Sequence, residues 1–113
     1  MSDDVGAAMM PPMETTMTTA TRKIGTNRGN RRAWIEGDIL AHAGWARGIR
    51  YTRTVTAEAI VLVRDDAGAR KVAGTPSRPI VDLCGAWVTV WAAGAETFTV
   101  TAAPSSVIIS RNA

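Results

Sequence analysis

The chain has 113 residues and a mass of 12.0 kDa, which suits one domain and excludes a two-domain enzyme with a separate cofactor module. Its apolar fraction of 46% and charged fraction of 20% indicate a globular protein with a single core. One cysteine and one histidine exclude an internal disulfide and a Cys/His zinc site, so we expect no metal. No apolar run spans a bilayer and the acidic start differs from a secretory signal, which predicts a cytoplasmic protein without membrane contact.

Positive charge is concentrated in the first half of the chain. Residues 1–20 hold three acids and no base, so the formal charge of +3 becomes +6 for the remaining 93 residues. Most of the bases are arginine, whose planar fork suits phosphate oxygens and base edges better than an ammonium does. We expect a polyanion, nucleic acid above all, as the partner, and the alternative is a solvated basic face. The candidate nucleic-acid-binding residues are Arg22, Lys23, Arg28, Arg31, Arg32, Arg47, Arg50 and Arg53.

The beginning of the chain is predicted to stand outside the core. Residues 1–20 combine methionine, proline and threonine without either hydrophobic period, which predicts a disordered amino-terminal tail. Residues 21–32 read T-R-K-I-G-T-N-R-G-N-R-R and predict a basic arm, with Gly25 and Gly29 as flexible joints. Such an arm either follows a nucleic-acid groove or serves as a charged linker.

Residues 33–113 are predicted to form a single domain of two similar halves, 33–64 and 78–111. Each half reads as a strand, a short helix and two further strands, so the predicted class is mainly β with short helices. In the first half the elements are a strand at 32–35, a helix from Gly37 or Asp38 to Ala43, and strands at 49–56 and 60–63. In the second half they are a strand at 78–81, a helix from near Asp82 to about Trp91, and strands at 97–101 and 107–110. Offsets of 46 and then 47 residues align the two halves.

Aromatic and nucleophilic side chains favour a structural role. The tryptophans share an expected place in the core, with stacking on single-stranded bases as the alternative: Trp34, Trp45, Trp87 and Trp91. His42 has no orienting carboxylate beside it and is expected in solvent, and Cys84 is expected as a small core residue. The chain shows neither a nucleophile elbow nor a glycine-rich phosphate loop. We therefore predict no catalytic residue and no cofactor, which favours a non-enzymatic protein.

A longer motif resembles a known pattern. The stretch I-E-G-D-I-L-A-H-A-G-W from Ile35 to Trp45, followed by Gly48, an alternating strand and the apolar strand 60–63, resembles the SymE toxin family. It is more distantly similar to the AbrB/SpoVT swapped-hairpin DNA-binding domains. The resemblance implies a small swapped-hairpin-like barrel, which AbrB-type domains build from two chains with one half each. Two halves in this chain either close the barrel alone or pair across a homodimer.

Other segments resemble an amino-terminal extension found on some phage-type DNA cytosine methyltransferases. They are residues 22–37, R-K-V-A-G at 70–74 and P-I-V-D at 79–82. This resemblance implies a detached targeting module. The chain is not the methyltransferase itself, because Cys84 follows a leucine where the enzyme's nucleophile follows a proline.

Two functions from different classes follow. The first is a non-enzymatic DNA-binding module, either a transcriptional regulator or a targeting module of a mobile-element or modification system. Here the arm binds phosphates, and Arg50, Thr52 and Thr54 on a two-stranded ribbon read the major groove. The alternative is a SymE-like toxin acting on RNA, with His42 or a carboxylate such as Glu36 or Asp38 as acid or base. An inhibitor that occupies another protein's nucleic-acid groove would need an acidic surface, which the basic balance argues against.

Overall fold

Two antiparallel β-sheets and two short helices make up the fold, which the computed structural model describes for residues 17–112. Strands account for 54% of the structure, so the predicted mainly β class with short helices is confirmed. The strands are β1 (Thr18–Lys23), β2 (Gly25–Asn27), β3 (Asn30–Glu36), β4 (Arg50–Val55), β5 (Ala59–Arg64), β6 (Arg70–Lys71), β7 (Ala73–Thr75), β8 (Arg78–Cys84), β9 (Thr97–Ala102) and β10 (Ser106–Arg111). The helices are α1 (Asp38–His42) and α2 (Ala86–Ala92).

The larger sheet has the strand order β1-β9-β10-β5-β4-β6, and the smaller sheet has the order β2-β3-β8-β7. The predicted closed barrel is wrong: within residues 17–112 no strand of one sheet pairs with a strand of the other. Closure requires a continuous hydrogen-bonded ladder. The chain instead passes from the larger to the smaller sheet at Ile24 and again at Val72, two buried residues between short edge strands. Both sheets contribute to one apolar core, so they pack face to face.

The predicted order of strand, helix, strand and strand occurs twice, as β3-α1-β4-β5 and as β8-α2-β9-β10. The repeat also extends to the preceding strands, because β1 and β2 correspond to β6 and β7. Each half gives its first strand to the other half: β1 pairs with β9, and β6 pairs with β4. This exchange ties the two halves into one sheet.

The register corrects the alignment of the halves. The turns that close the hairpins β2–β3 and β7–β8 pair Asn27 with Asn30 and Thr75 with Arg78, so the offset is 48 residues rather than 46. Gly37 and Gly85, also 48 residues apart, precede the helices with φ values of 79° and 136°, which favour glycine. An error of two residues leaves every side chain on the same face of a strand, so alternation could not reveal it.

The predicted tail and arm are part of the sheets wherever the structure describes them. Residues 1–16 lie outside the described residues, whereas residues 18–20 begin β1. The segment 21–32, predicted to be a flexible arm, contains the end of β1, all of β2 and the start of β3. The arm is held because Ile24 is buried, and Arg28-Gly29 is a two-residue hairpin turn with φ values of 55° and 86°.

The second helix also begins later than predicted. Asp82 resembles a helix start in the sequence, yet it continues β8 and lies opposite Trp34 of β3. The strand continues because Val81 and Leu83 alternate with Asp82 and fill the core from the smaller sheet. The helix α2 therefore starts only after Gly85. No helix among residues 17–112 has the length and apolar character needed to span a membrane.

Candidate nucleic-acid interface

The eight predicted basic residues do not form one surface. They lie in four places: Arg22 and Lys23 on β1 at one edge of the larger sheet, Arg28, Arg31 and Arg32 on the β2–β3 hairpin, Arg47 and Arg50 at the opposite edge beside β6, and Arg53 next to α2. Their neighbours decide which of them are available to an external anion.

On the smaller sheet the charges neutralise one another. Arg32 donates Nε and Nη2 to the two carboxylate oxygens of Asp82, both at 2.9 Å, and its guanidinium lies 4.2 Å from the ring centre of Trp34. These hydrogen bonds, which Asp82 accepts, raise the pKa of Arg32 above its ordinary value. Glu36 accepts a hydrogen bond from Trp34 Nε1 and pairs with Arg78 Nη1 at 3.3 Å. We call these five residues the paired network, and it leaves no net charge for a nucleic acid.

Arg31 serves the fold in the same way. Its guanidinium donates to the carbonyl oxygens of Ile24 at 3.0 Å and Gly25 at 3.4 Å, and it lies 3.9 Å from Glu96. It therefore joins β3 to the bend between β1 and β2. Arg28 is exposed at the tip of the β2–β3 turn. Of the three bases on this hairpin, Arg28 alone keeps its guanidinium free of carboxylates and carbonyls among the described residues.

Four cations meet at the β6 edge of the larger sheet, and we call Arg47, Arg50, Arg70 and Lys71 the basic edge. Arg50 of β4 lies directly opposite Lys71 of β6, and Arg70 lies opposite Tyr51. The loop that carries Arg47 is held against β6, because the N–H of Gly48 donates to the carbonyl of Val72 at 2.9 Å. The pairing places Arg50 and Lys71 on one face of this sheet edge and Arg70 on the other, with Arg47 in the adjoining loop.

The basic edge lacks charge compensation from its own surroundings. Among residues 17–112 none of its four members makes an ion pair with a carboxylate. Arg50 donates only to a carbonyl, that of Gly68 at 2.9 Å. Asp65, in the loop before β6, adjoins Arg50, because its N–H donates to the carbonyl of Arg50 at 3.0 Å, but its Oδ1 accepts the N–H of Ala67 and forms no ion pair with Arg50. Like charges opposite one another destabilise a strand pair, so an external anion would relieve this edge.

Sequence reasoning missed Arg70 and Lys71. The strand β6 has only two residues, which is too short for any hydrophobic period. The available signal was the repeat: R-K-V at Arg70 repeats R-K-I at Arg22 with the 48-residue offset. On β1 the same dipeptide lies opposite Phe98 and Thr97 instead of opposite another base. Only the β6 copy therefore joins a cluster.

Arg53 faces the opposite side of β4 from Arg50. Its guanidinium lies 4.1 Å from the ring centre of Trp87 of α2, and its side chain is half-buried. Burial, and then the nearby charge of Arg70, lower the pKa of Arg53 from its ordinary value. Arg53 also lines a cavity of about 570 Å³ between α2 and the β4–β5 turn, which we call the α2 groove.

The remaining predicted residues are the tryptophans, Cys84 and the candidate acid-base residues. Trp45 and Trp91 are buried as expected, whereas Trp34 and Trp87 are half-buried and each stacks under an arginine. Cys84 is half-buried on the outer face of the smaller sheet and not in the core. The residues considered for RNA cleavage do not assemble: Glu36 belongs to the paired network, while Asp38 and His42 are exposed at the two ends of α1.

Comparison with known proteins adds no relative. No protein-family model matches the chain, and neither the curated proteins nor the solved structures contain a match to it. Among the described residues no group of three or more histidine, cysteine, aspartate or glutamate side chains could hold a metal ion. The function is therefore inferred from this chain's own residues.

Proposed function

We propose that this protein is a non-enzymatic module that binds nucleic acid, duplex DNA in the first place, through the basic edge. The observation that carries the proposal is the direct opposition of Arg50 and Lys71 without a carboxylate partner among the described residues. On the smaller sheet, by contrast, Arg31, Arg32 and Arg78 each have such a partner. Duplex DNA carries one negative charge per about 1.7 Å of its axis, so two adjacent cations neutralise adjacent phosphates.

The outward face of β4 provides a second contribution. Thr52 and Thr54 are exposed and follow Arg50 on the same face of the strand. A two-stranded ribbon of this kind fits the major groove, where an arginine binds guanine edges and a threonine contacts phosphate or a thymine methyl group. Arg50 is the residue through which we propose that site preference arises, with Arg47, Arg70 and Lys71 providing affinity on all sequences.

The exchange of first strands between the halves supports the resemblance to swapped-hairpin DNA-binding domains. The pairs β3–β8 and β5–β10 join the halves within one chain, which supports an intramolecular arrangement over pairing across a homodimer. We propose that the module acts in the cytoplasm, as a regulator or as the targeting part of a modification system.

The test is the salt dependence of duplex binding by the full chain, followed by fluorescence anisotropy. Each phosphate contact contributes about 0.9 to the slope of log affinity against log salt concentration. The double variant Arg50→Gln/Lys71→Gln is expected to bind more weakly on every sequence, with a slope reduced by about 2. The matched control is Arg22→Gln/Lys23→Gln on β1, which carries the equivalent dipeptide at the opposite edge.

An equal loss in both variants would mean that binding is diffuse, and an unchanged slope in the first would remove the basic edge from the interface. Incubation with labelled RNA is part of the same experiment. Cleavage of the RNA would favour the SymE-like toxin, whereas retention of intact nucleic acid supports a binding module.

A further inference from the structure

The α2 groove is an open cavity between α2 of the second half and the β4–β5 hairpin of the first half. Its volume of about 570 Å³ lies in the range of small-ligand sites. The walls are mainly apolar, and two guanidinium groups border it. Its lining includes Arg53, Val55, Trp87, Val90, Trp91 and Arg111.

The groove exists because the second half lacks a side chain that fills the first half. There, Trp45 follows α1, is fully buried, and donates Nε1 to the carbonyl of Ala103 at 2.8 Å. The connection after α2 is shorter and offers Ala93 and Gly94 at the corresponding place. The arginines that border the two spaces correspond: Arg64 donates to the carbonyl of Gly44 at 3.3 Å, and Arg111 to that of Trp91 at 3.2 Å.

Polar groups in the groove have unused hydrogen-bonding capacity. Trp91 is only 5% exposed, and its Nε1 is buried without an acceptor among the described residues. A buried donor without an acceptor is rare in folded proteins and destabilising. Arg53 stacks on Trp87 but makes no hydrogen bond or ion pair with a described residue. Arg111 is held by the carbonyls of Ala57 and Trp91, both through Nη1, which leaves its other donors available.

The rim of the groove is apolar where a surface helix is normally polar. Val90 of α2 is 77% exposed and Val55 of β4 is 45% exposed, and Trp87 is half-buried between them and Arg53. The helix α2 has no charged residue. A helix whose solvent side is apolar in this way is suited to covering a ligand.

We propose that the α2 groove binds one unpaired nucleotide of a nucleic-acid strand, its base stacked against the Arg53–Trp87 pair and its acceptor atoms meeting the free donors of Arg111. Every base offers a flat face and acceptor atoms, and its phosphate requires a cation. The groove supplies the ring of Trp87 for the face and the guanidinium groups of Arg53 and Arg111 for the acceptors and the phosphate. The inference rests on the proposed nucleic-acid binding and adds which form of nucleic acid is preferred.

The groove also adjoins the basic edge. Arg53 follows Tyr51 by two residues on the same face of β4, and Tyr51 lies opposite Arg70. Arg70 therefore shares with Arg53 the face of the larger sheet that lies opposite Arg50 and Lys71. A strand with a phosphate at Arg70, on the sheet edge, can turn a base inward at Arg53 without leaving the protein. A ligand unrelated to nucleic acid would not need this continuity.

The test compares binding to a matched duplex, to the same duplex with one unpaired base, and to a free nucleoside monophosphate. We expect the native chain to prefer the bulged duplex by about tenfold, as is typical of one stacked base. The variant Val90→Glu places a carboxylate at the rim of the groove, on a side chain that lies outside the core. It should abolish the preference for the bulged duplex and change the affinity for the matched duplex by less than roughly twofold. The control is His42→Glu, the exposed residue 48 positions earlier on α1, which should keep the preference.

Trp87→Leu is a second variant that should also lose the preference, with its unfolding midpoint checked in urea. The free nucleotide shows whether the base must belong to a strand. If it shifts the Trp91 indole N–H signal in NMR, and Val90→Glu removes that shift, a free nucleotide suffices. If the signal does not shift, the base must belong to a strand.

The inference is overturned if matched and bulged duplexes bind equally and the free nucleotide leaves the indole signals unmoved, or if the preference survives both groove variants. The proposed function fails separately, if the matched duplex does not bind at all. A nucleotide that shifts the Trp91 signal in that case would keep the groove as a nucleotide site without the DNA-binding edge.

Discussion

The two halves of the chain have the same order of elements but differ at the end of the helix. After α1 the chain continues through a loop that inserts Trp45 into the core, and after α2 a shorter loop leaves the α2 groove open. The edges differ in the same way. The R-K dipeptide of β1 lies opposite Phe98 and Thr97, whereas that of β6 lies opposite Tyr51 and Arg50.

This difference shows how a duplicated fold separates stability from binding. The first half uses its large aromatic residue to complete the core. At the corresponding place beside α2 no large side chain fills the space, and a cavity stays open between this helix and the β4–β5 turn. The duplication supplies the frame, and a few side chains decide where the core is filled and where a cavity stays open.

The largest expected effect is on the filled half. Trp45→Ala removes a fully buried ring and its hydrogen bond to Ala103, and should lower the free energy of unfolding by about 3–5 kcal/mol. Trp87→Ala removes a half-buried ring that packs against the core on one side and lines an open cavity on the other, and should cost less, about 1–2 kcal/mol, from partial core packing and the contact with Arg53. Urea unfolding of both variants checks the pair. Equal losses would mean that the α2 groove is part of the core.

The next prediction is that one substitution at the basic edge raises stability and lowers DNA affinity. Lys71→Glu turns a like-charged cross-strand pair with Arg50 into an opposite-charged one, and should stabilise the fold by about 0.2–1 kcal/mol while weakening DNA binding. Lys23→Glu at the equivalent position lies opposite Thr97 and should change stability little. Thermal unfolding and anisotropy on the same samples give both values. A Lys71→Glu protein that is less stable than the native chain would show that the edge is already compensated.

Tyr51 tests the packing of the filled half by titration, because it is the only tyrosine in the chain. Burial raises its pKa above the ordinary value of 10.0, against the lowering effect of Arg70 and Arg53. The neutral phenol is therefore favoured in the folded state, so this contribution to stability is complete below pH 10 and is lost as the pH rises through the folded pKa.

Phenolate absorbance should accordingly show a midpoint above 10 in the folded chain. The ring of Tyr51 lies 5.8 Å from that of Trp45, so Trp45→Ala should move the midpoint back toward the ordinary value. A native midpoint at or below 10 would mean that solvent reaches the phenol.

The smallest effect belongs to the paired network. Arg32→Gln removes a cation that Asp82 already neutralises, so duplex affinity and its salt dependence should stay as in the native chain. The anisotropy assay used for the basic edge checks this. A clear loss would place the smaller sheet in the interface.

The sequence revealed the frame better than the site. Hydrophobic alternation predicted both copies of the strand-helix-strand-strand order, and the position of Trp45 after a helix predicted its burial. Alternation does not encode which strand edges meet, so the barrel was predicted where two separate sheets occur. A single apolar residue, Ile24, between Lys23 and Gly25 was not enough to indicate that the predicted arm belongs to three strands.

The candidate site was predicted in part for a related reason. Composition identified the excess of arginine, but not which arginines are neutralised within the fold. The partner of Arg32 is Asp82, 50 residues away, and only the β3–β8 register brings them together. Arg70 and Lys71 could not be predicted as site residues for the same reason, because their place beside other bases depends on the pairing of β6 with β4.

The most direct test is NMR mapping of a duplex with one unpaired base onto the isotope-labelled full chain at low salt. We expect shifts confined to the basic edge, around Arg50 and Lys71, and to the α2 groove, including the indole N–H of Trp91. Signals of the paired network around Arg32 and Trp34, and those of β1, should stay in place. Shifts centred on the smaller sheet or on β1, with the β6 edge unperturbed, would contradict this expectation.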